Sequence, residues 1–383
     1  MYNLNINGNG CIEELLENRK LIVKDWKYNN YIYKIIRYNK EFLKIHEKET
    51  LGLFRSVIIN NENQIVCFSP PKSFLFNEFK ETKGSEFYLE EFIEGTMINV
   101  FFDKNLNEWE IATKSSIGGE VYFNQDKKVT FKQMWEEVCK SSNFNMNILN
   151  KEYCYSFVLQ HIDNKIVIEL EKNRIFLIGC YKINGLEVEK QEIDRGLFEN
   201  TSIEIVKREI INDLLLEYNN WSNDNIDFRK MGVVIYDNKG KRCKIINQNY
   251  ELVKNLRGNY SKNQYRYLNL RREQKLYEYL RYFPEDKKNF TLYKEQLHRF
   301  TNKLYTLYID YRVLKKIKIK EIPYEYKPLL VEIHDLYLNK NRIHKKRINR
   351  SDVINYINNL PIPRLMYSIN YSIRNELINK NIE

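Results

Sequence analysis

The chain has 383 residues, of which 43% are apolar, so it is long enough for two or three domains with buried cores. It carries 62 Lys and Arg against 51 Asp and Glu, and this net charge of +11 indicates an acidic partner. No run of about 18 apolar residues could span a bilayer, and residues 1–5 lack the features of a secretory signal, so we expect an intracellular, cytoplasmic protein.

The cysteines and histidines do not indicate a metal site. The six cysteines lie far apart with no Cys-x-x-Cys pair, so we expect buried free thiols in a reducing compartment. The five histidines also fall at no metal-ligand spacing, and His161 is interpreted as a hydrogen-bonded histidine at a strand end. We therefore expect no structural metal.

The first 80 residues predict one helix and then strands. Residues 11–23 space their apolar positions as an amphipathic helix does. Strands are predicted at residues 31–37, 56–59 and 64–68, and the polar residues 60–63 predict a hairpin loop. Pro70 and Pro71 should end the last of these strands, because proline cannot continue a ladder of hydrogen bonds.

The most informative stretch is residues 88–103. A turn at Glu94-Gly95 leads into an apolar strand at 96–102, and a second strand at 109–113 follows a polar loop, which predicts a β-hairpin. Lys114 and a run of small, flexible residues come directly after the hairpin.

Further strands and helices are predicted downstream. A helix is expected at 130–139, strands at 153–159, 165–170 and 175–180, a helical segment near 208–218, and a hairpin of strands 232–236 and 242–246. This order is typical of an α+β domain of antiparallel sheets, which we place at residues 1–257. Residues 258–383 predict an all-helical domain, with helices at 274–282, 292–316 and 327–338 and prolines 323, 328, 361 and 363 at helix boundaries.

The positive charge is concentrated in the helical part. Residues 261–383 hold 26 of the Lys and Arg but only 13 of the Asp and Glu, so the rest of the chain is close to neutral. Basic clusters interleaved with tyrosines are typical of surfaces that bind phosphates and stacked bases, and we expect RNA as the partner, not a membrane. The candidate RNA-binding residues are Lys315, Lys316, Lys318, Lys320, Lys345, Lys346, Arg347 and Arg350.

The stretch from Glu91 to Thr96 resembles the nucleotide-binding motif of the covalent nucleotidyltransferases, which comprise RNA ligases, DNA ligases and mRNA capping enzymes. That motif reads Glu-Lys-x-Asp-Gly-Ser/Thr, and its lysine attacks the α-phosphate of ATP or GTP. Here the frame holds Glu94 and Gly95, but Phe92 occupies the place of the nucleophile. A phenyl ring has no lone pair to offer phosphorus.

The chain is most similar to the bacteriophage-type RNA ligases that repair tRNA, over most of residues 30–250. Residues 51–59 and 68–77 look like that family's Arg-Gly segment and the segment that follows it. The resemblance places Arg55, Lys114 and Lys244 near the phosphates of a nucleotide, together with the Glu94-Gly95 turn. For Arg55 and Lys114, two interpretations are equally open: a role in the pocket, or a solvated charge at the end of a strand.

The residues that differ from the family pattern are those that carry its chemistry. Ser156 and Met231 stand where the family has glutamates, and Ile246 replaces the second lysine of its Lys-x-Lys segment. Hydroxyl and thioether groups cannot replace two carboxylates as ligands for magnesium. With Phe92, four catalytic positions are changed, so we predict a degenerate member without nucleotidyltransferase activity and without a cofactor.

The resulting hypothesis is a pseudoenzyme that binds RNA through the former nucleotide cleft and the basic helical domain. The ligand would be RNA, with a 5′ end or cap as one form, and protein partners would come from an RNA-processing or translation assembly. Two alternatives remain open. One is an active RNA ligase that needs ATP and Mg and uses another lysine, such as Lys83 or Lys114; the other is a scaffold with a vestigial cleft. The resemblance, and an abundance of Asn, Ile, Lys and Tyr that is typical of AT-rich genomes, are consistent with a viral source, which would place the protein in the host cytoplasm.

Overall fold

The computed structural model describes residues 1–5, 16, 20–80, 86–122, 129–341 and 347–380. The chain divides into two compact units, Met1–Asn255 and Leu256–Glu383. The first unit contains antiparallel sheets with a few helices, and the described residues of the second contain helices and turns without strands. The predicted α+β class, with antiparallel sheets followed by a helical region, is confirmed.

The strands of the first unit form three sheets. In chain order they are β1 (Tyr2–Asn3), β2 (Leu21–Tyr28), β3 (Tyr31–Tyr38), β4 (Val57–Ile59), β5 (Ile65–Cys67), β6 (Phe87–Glu91), β7 (Thr96–Asp103), β8 (Glu108–Ala112), β9 (Tyr153–Gln160), β10 (Arg174–Asn184), β11 (Glu187–Gln191), β12 (Glu204–Ile205), β13 (Arg208–Ile211), β14 (Gly232–Asp237) and β15 (Arg242–Ile246). The largest sheet has the order β1-β11-β10-β9-β7-β8, with β12 paired parallel to β10. The other two have the orders β13-β6-β14-β15 and β2-β3-β4-β5.

The large sheet is covered on both faces, which explains why β9 is apolar along nearly its whole length. One face packs against the β2-β5 sheet in a core that includes Phe101, Cys154 and Tyr181. The other face packs against the helix Phe131–Ser141, whose Trp135 contacts Phe157. Successive residues of a strand point to opposite faces, so the residues of β9 enter the two cores alternately.

The helices have these bounds: Phe76–Phe79, Phe131–Ser141, Leu214–Trp221 and Gln248–Arg257, then Asn263–Arg272, Leu276–Tyr282, Lys287–Tyr308, Lys327–Leu336, Arg350–Asn359, Ile362–Ile369 and Tyr371–Lys380. Pro328 and Pro363 lie in the first turns of their helices, where the missing N–H has no cost, so these two predicted boundaries are confirmed. No helix in the described residues combines the length and the apolarity needed to cross a lipid bilayer.

Several predicted elements are wrong. Residues 165–170 form a loop, because the backbone N–H groups of Val167 and Ile168 donate to the Glu94 carboxylate and not to a neighbouring strand. The segment predicted as a helix at 208–218 contains β13, an edge strand beside β6, and its helix begins only after Asp213 caps it. Of the predicted helix 11–23, residues 21–23 belong to β2, and residues 11–15 and 17–19 lie outside the described part.

The helix predicted at 292–316 is also wrong at its carboxyl end. The α-helix Lys287–Tyr308 passes into a π-helical turn, Ile309–Val313, and then the chain leaves the helix. Lys315 has a φ of 54°, a left-handed conformation that does not continue an α-helix. Lys315, Lys316 and Lys318 therefore lie in a loop, and Lys320 lies in the short 3₁₀ helix Ile319–Glu321.

A candidate anion site

The β13-β6-β14-β15 sheet has one apolar face and one charged face. Cys243 and Ile245 of β15 enter a core with Val233 and Ile235. Because strand residues alternate between faces, Arg242, Lys244 and Ile246 share the opposite face. The structure thus places Lys244 on the same side as Ile246, which pairs with Gly232 at the start of β14.

Two guanidinium groups meet at one backbone carbonyl. Arg242 donates from Nη2 to the Pro70 oxygen at 3.3 Å and from Nε to the Pro71 oxygen at 2.8 Å, and its side chain is buried, with the residue 4% exposed. Arg55 donates from Nη1 to the same Pro70 oxygen at 3.4 Å. Burial, followed by the charge of Arg242, lowers the pKa of Arg55 to about 10.

The charge of Arg55 acts on three lysines, Lys72, Lys114 and Lys244. Burial, then the charges of Arg242, Arg55 and Lys72, hold the pKa of Lys244 well below its usual value. Burial and neighbouring cations also lower the pKa of Lys72 and of Lys114, and Arg55 is among those cations for both. We call Arg55, Lys72, Lys114, Arg242 and Lys244 the cation cluster.

The cation cluster lacks ion-pair partners in the described part of the chain. No carboxylate oxygen of a described residue lies within 4.0 Å of the charged nitrogens of its five members. Neighbouring lysines differ, since Lys48 pairs with Glu78 at 2.6 Å and Lys241 pairs with Glu49 at 3.0 Å. Removing a cation from water without an anion is costly, so the cluster is a place where a bound anion would relieve like-charge repulsion.

A cavity of about 480 Å³ gives access to one side of the cluster. Lys72 and Arg242 line it, together with Leu53, Phe74 and Tyr2. Its volume is in the range of small-molecule sites, which span about 300–1,000 Å³. Glu49, Glu78 and Asp237 also line it, so the cavity offers charges of both signs and apolar surface to a ligand.

Phe92 lies directly against the cluster. The Lys244 Nζ stands 3.7 Å from the centroid of the Phe92 ring, a cation–π contact. The Phe92 backbone N–H donates to the Gly232 carbonyl at 2.9 Å, which fixes the end of β6 beside β14. The residue in the motif's nucleophile place thus supplies a ring face to the amine of Lys244.

Glu94 and Gly95 form the turn that precedes β7. The Glu94 carboxylate accepts hydrogen bonds from the backbone N–H of Val167 at 3.1 Å and of Ile168 at 3.1 Å, and the residue is 5% exposed. Gly95 has a φ of 153°, and a Cβ there would lie 2.6 Å from the Leu159 carbonyl oxygen. Glu94 therefore holds a loop, and Gly95 permits close packing against β9.

The remaining motif positions do not provide a donor set for a divalent cation. The Ser156 hydroxyl is fully buried and donates to Asn99 Oδ1 at 2.8 Å across the β7-β9 pair. Met231 can offer only a thioether, and magnesium prefers charged oxygens. Among the described residues, no group of three or more His, Cys, Asp or Glu is placed to hold a metal ion. The residues present do not fit the metal that a nucleotidyltransferase requires.

Sequence reasoning missed Lys72 and Arg242. Arg242 could have been found, because it lies two residues before Lys244 in a predicted strand and so shares its face. Lys72 follows Pro71, and the sequence gives no sign that this segment approaches β15; the bond from the Phe74 N–H to the Arg242 carbonyl, at 2.8 Å, shows that it does.

The other predicted site residues lie apart from the cation cluster in the chain. Lys315, Lys316, Lys318, Lys320, Arg347 and Arg350 are exposed residues of the second unit. Arg350 donates to Asn302 Oδ1 at 2.7 Å. Lys345 and Lys346 lie outside the described residues, as does Lys83, which was weighed as a replacement nucleophile.

The solved structures to which the chain is similar include RNA and DNA ligases. The chain is similar to an archaeal ATP-dependent RNA ligase, with 13% identity, a TM-score of 0.42 and coverage of 74% of each chain. It is similar to a candidate ATP-dependent DNA ligase of Aquifex aeolicus, with 15% identity, a TM-score of 0.40 and coverage of 74% of this chain and 69% of that one. It is also similar to a Naegleria gruberi RNA ligase, with 11% identity, a TM-score of 0.36 and coverage of 62% of this chain and 80% of that one.

No protein-family model matches the sequence, and no curated protein matches it. The structural neighbours are therefore ATP-dependent RNA and DNA ligases at low identity, and these values assign the chain to no family.

The Glu94 carboxylate should be important for stability. In Glu94→Gln, one carboxylate oxygen becomes an NH₂ group that faces backbone N–H donors, so we expect a loss of about 1–3 kcal/mol in the free energy of unfolding. Urea unfolding would measure it, with Glu136→Gln on the exposed face of the helix Phe131–Ser141 as the matched control. Equal midpoints for the two variants would contradict the assignment.

Proposed function

We propose that the chain is a nucleic-acid-binding protein with a ligase-like arrangement, which holds the phosphates of a nucleotide or an RNA 5′ end on the cation cluster. It does so without transferring a nucleotide and without a divalent metal. The observation that carries the proposal is the pair of arginines that share the Pro70 carbonyl, beside three lysines of lowered pKa. A polyphosphate supplies the negative charge that this group of cations lacks.

The absence of transfer follows from the side chains at four positions. Phe92 cannot attack phosphorus, and Ile246 cannot neutralise charge on a leaving pyrophosphate. Ser156 and Met231 cannot act as the two carboxylates that would hold a metal. The former reaction site would thus retain the groups that bind phosphate and lack those that change it.

RNA is the proposed polymer because the excess positive charge of the chain lies in residues 261–383. Binding of this kind releases counterions, so the affinity for RNA should fall steeply with salt. Recruitment to an RNA-processing or translation assembly, and a cap as the specific 5′ end, are extensions of the same proposal.

An active ligase would need a lysine at the cluster, and both Lys114 and Lys244 are described there with a lowered pKa. Lys244 has the further contact with Phe92, in the motif's nucleophile place. Its amine is beside Phe92, and its lowered pKa favours the neutral, nucleophilic form. We do not propose this activity, because the carboxylates for a metal are replaced. The alternative makes Lys244 the residue to examine in a labelling experiment.

We expect no covalent nucleotide adduct. The protein would be incubated with α-labelled ATP and, separately, GTP, with magnesium or manganese, then denatured and examined for retained label. Non-covalent retention of the same nucleotides before denaturation serves as the binding control. Any labelled band would overturn the proposal, and its loss in Lys244→Met or in Lys114→Met would identify the nucleophile.

Phosphate binding should be accompanied by proton uptake. The folded-state pKa values of Lys72, Lys114 and Lys244 are lowered from 10.5, so below 10.5 the free protein binds fewer protons than solvated lysines would. A bound anion favours the charged amines and restores those protons. Calorimetry with tripolyphosphate at pH 8.5–9.5, in buffers of different ionisation enthalpy, would measure the uptake.

The uptake should be smaller in Lys244→Met and unchanged in Lys172→Met, which alters an exposed lysine. Affinity should also decline as pH rises through this range. Binding with no proton exchange, or with proton release, would contradict the assigned site.

A further inference from the structure

Three tyrosines form a row on the second unit. Tyr324 stacks on Tyr371 with ring centroids 5.4 Å apart and planes at 27°. The ring centroids of Tyr371 and Tyr367 are 5.9 Å apart, and the guanidinium carbon of Arg374 lies 3.7 Å from the centroid of the Tyr367 ring. We call these four residues the tyrosine row.

The two outer rings of the row are open to solvent. Tyr324 is 64% exposed and Tyr367 is 52% exposed, whereas Tyr371 and Arg374 are half-buried. Aromatic rings that pack against each other usually do so in a core, as Tyr279 does with Phe283 and Phe290 in the same unit. A contiguous exposed aromatic surface is typical of a binding site.

Local contacts hold the row in place. Tyr324 begins the 3₁₀ helix Tyr324–Tyr326, and the neighbouring Tyr326 stacks on Phe300 at 4.8 Å. Arg374 donates from Nη2 to the Tyr367 carbonyl at 2.6 Å, which keeps its guanidinium over the ring. The rings are therefore positioned before a ligand arrives, and less conformational entropy is lost on binding.

Positive charge lies close to the row along the chain. Lys320 is four residues before Tyr324, so their Cα atoms are at most about 14 Å apart. Lys318 and Lys320 are exposed, and Arg374 belongs to the row itself. Stackable rings next to cations match a polymer that has flat bases on a phosphate backbone.

We infer that the tyrosine row is a stacking platform for the bases of single-stranded RNA, with the nearby lysines at its phosphates. The inference rests on the proposed RNA-binding function and adds the residues that contact bases. Aromatic side chains on other RNA-binding surfaces stack about two or three bases, and a row of three rings has a similar capacity. Bases in a duplex are already stacked, so the platform selects unpaired strands.

The test uses the full chain and a fluorescein-labelled 12-nucleotide single-stranded RNA, with binding measured by anisotropy at fixed low salt. Tyr324→Ala combined with Tyr367→Ala should weaken binding by about 5- to 100-fold, the effect of one lost base stack or a little more. Tyr324→Phe with Tyr367→Phe keeps the rings and should bind as the unmodified protein does. Tyr277→Ala is the matched control, since Tyr277 is 82% exposed in the helix Leu276–Tyr282 of the same unit.

A second ligand separates stacking from charge. An RNA of equal length without bases keeps every phosphate, so the unmodified protein should bind it more weakly, and the double alanine variant should bind both RNAs alike. Thermal unfolding would verify that the variants fold. If the double alanine variant binds the normal RNA as tightly as the unmodified protein, or loses affinity equally for both RNAs, the inference is overturned.

The same proteins also separate this inference from the proposed function. Tripolyphosphate binding at the cation cluster should be unaffected in the double alanine variant. If tripolyphosphate binds and single-stranded RNA does not, the platform is wrong and the anion site stands. If RNA binds in a base-dependent manner and tripolyphosphate does not, the anion site is wrong and the platform stands.

Discussion

Two like charges share one carbonyl oxygen in the first unit, and the candidate site depends on that contact. Arg55 and Arg242 both donate to Pro70, from different segments of the chain. Their mutual repulsion is partly offset by this oxygen, and the pKa of Arg55 records the cost of burial. A site that holds several cations at a fixed spacing is prepared for an anion before the anion binds.

The surrounding fold keeps the cations in place. The apolar face of β14 and β15 is buried against the segment around Phe74, and this packing directs Arg242 and Lys244 to the other face. The Phe92 ring then covers one side of the Lys244 amine. A lysine in the Phe92 place would add a further positive charge beside Lys244. The phenyl ring instead favours the charged form of that amine, an effect that burial and the neighbouring cations outweigh.

Much of the fold could be predicted from the sequence, because alternating apolar residues and polar turns determine the hairpins directly. The strand Arg242–Ile246 has the predicted bounds, and the helix predicted at 130–139 is observed at Phe131–Ser141. The errors at 165–170 and 208–218 have a common cause. In both, long-range partners decided the conformation: the Glu94 carboxylate for the loop and the edge of β6 for β13.

Only part of the candidate site could be predicted, because its residues also come together through long-range contacts. Resemblance to a motif predicts phosphate-binding roles for Arg55, Lys114 and Lys244, and in the structure Arg55 is among the charges that lower the pKa of both lysines. Lys72 belongs to the cluster because the segment after Pro71 runs beside β15, and no local sequence pattern predicts this contact. The tyrosine row likewise combines a 3₁₀ helix and two later helices, so its members are scattered in the sequence.

The most direct test of the central claim is the thermal unfolding of Lys244→Met with and without tripolyphosphate, in the presence of a chelator. Methionine has nearly the volume of lysine and no ionisable group, so the free variant avoids the cost of burying an amine among cations and should be more stable than the unmodified protein. Tripolyphosphate near 100 times its dissociation constant should raise the unfolding temperature of the unmodified protein by about 5 °C, and that of the variant by clearly less. A less stable free variant that shows the full shift would contradict the account.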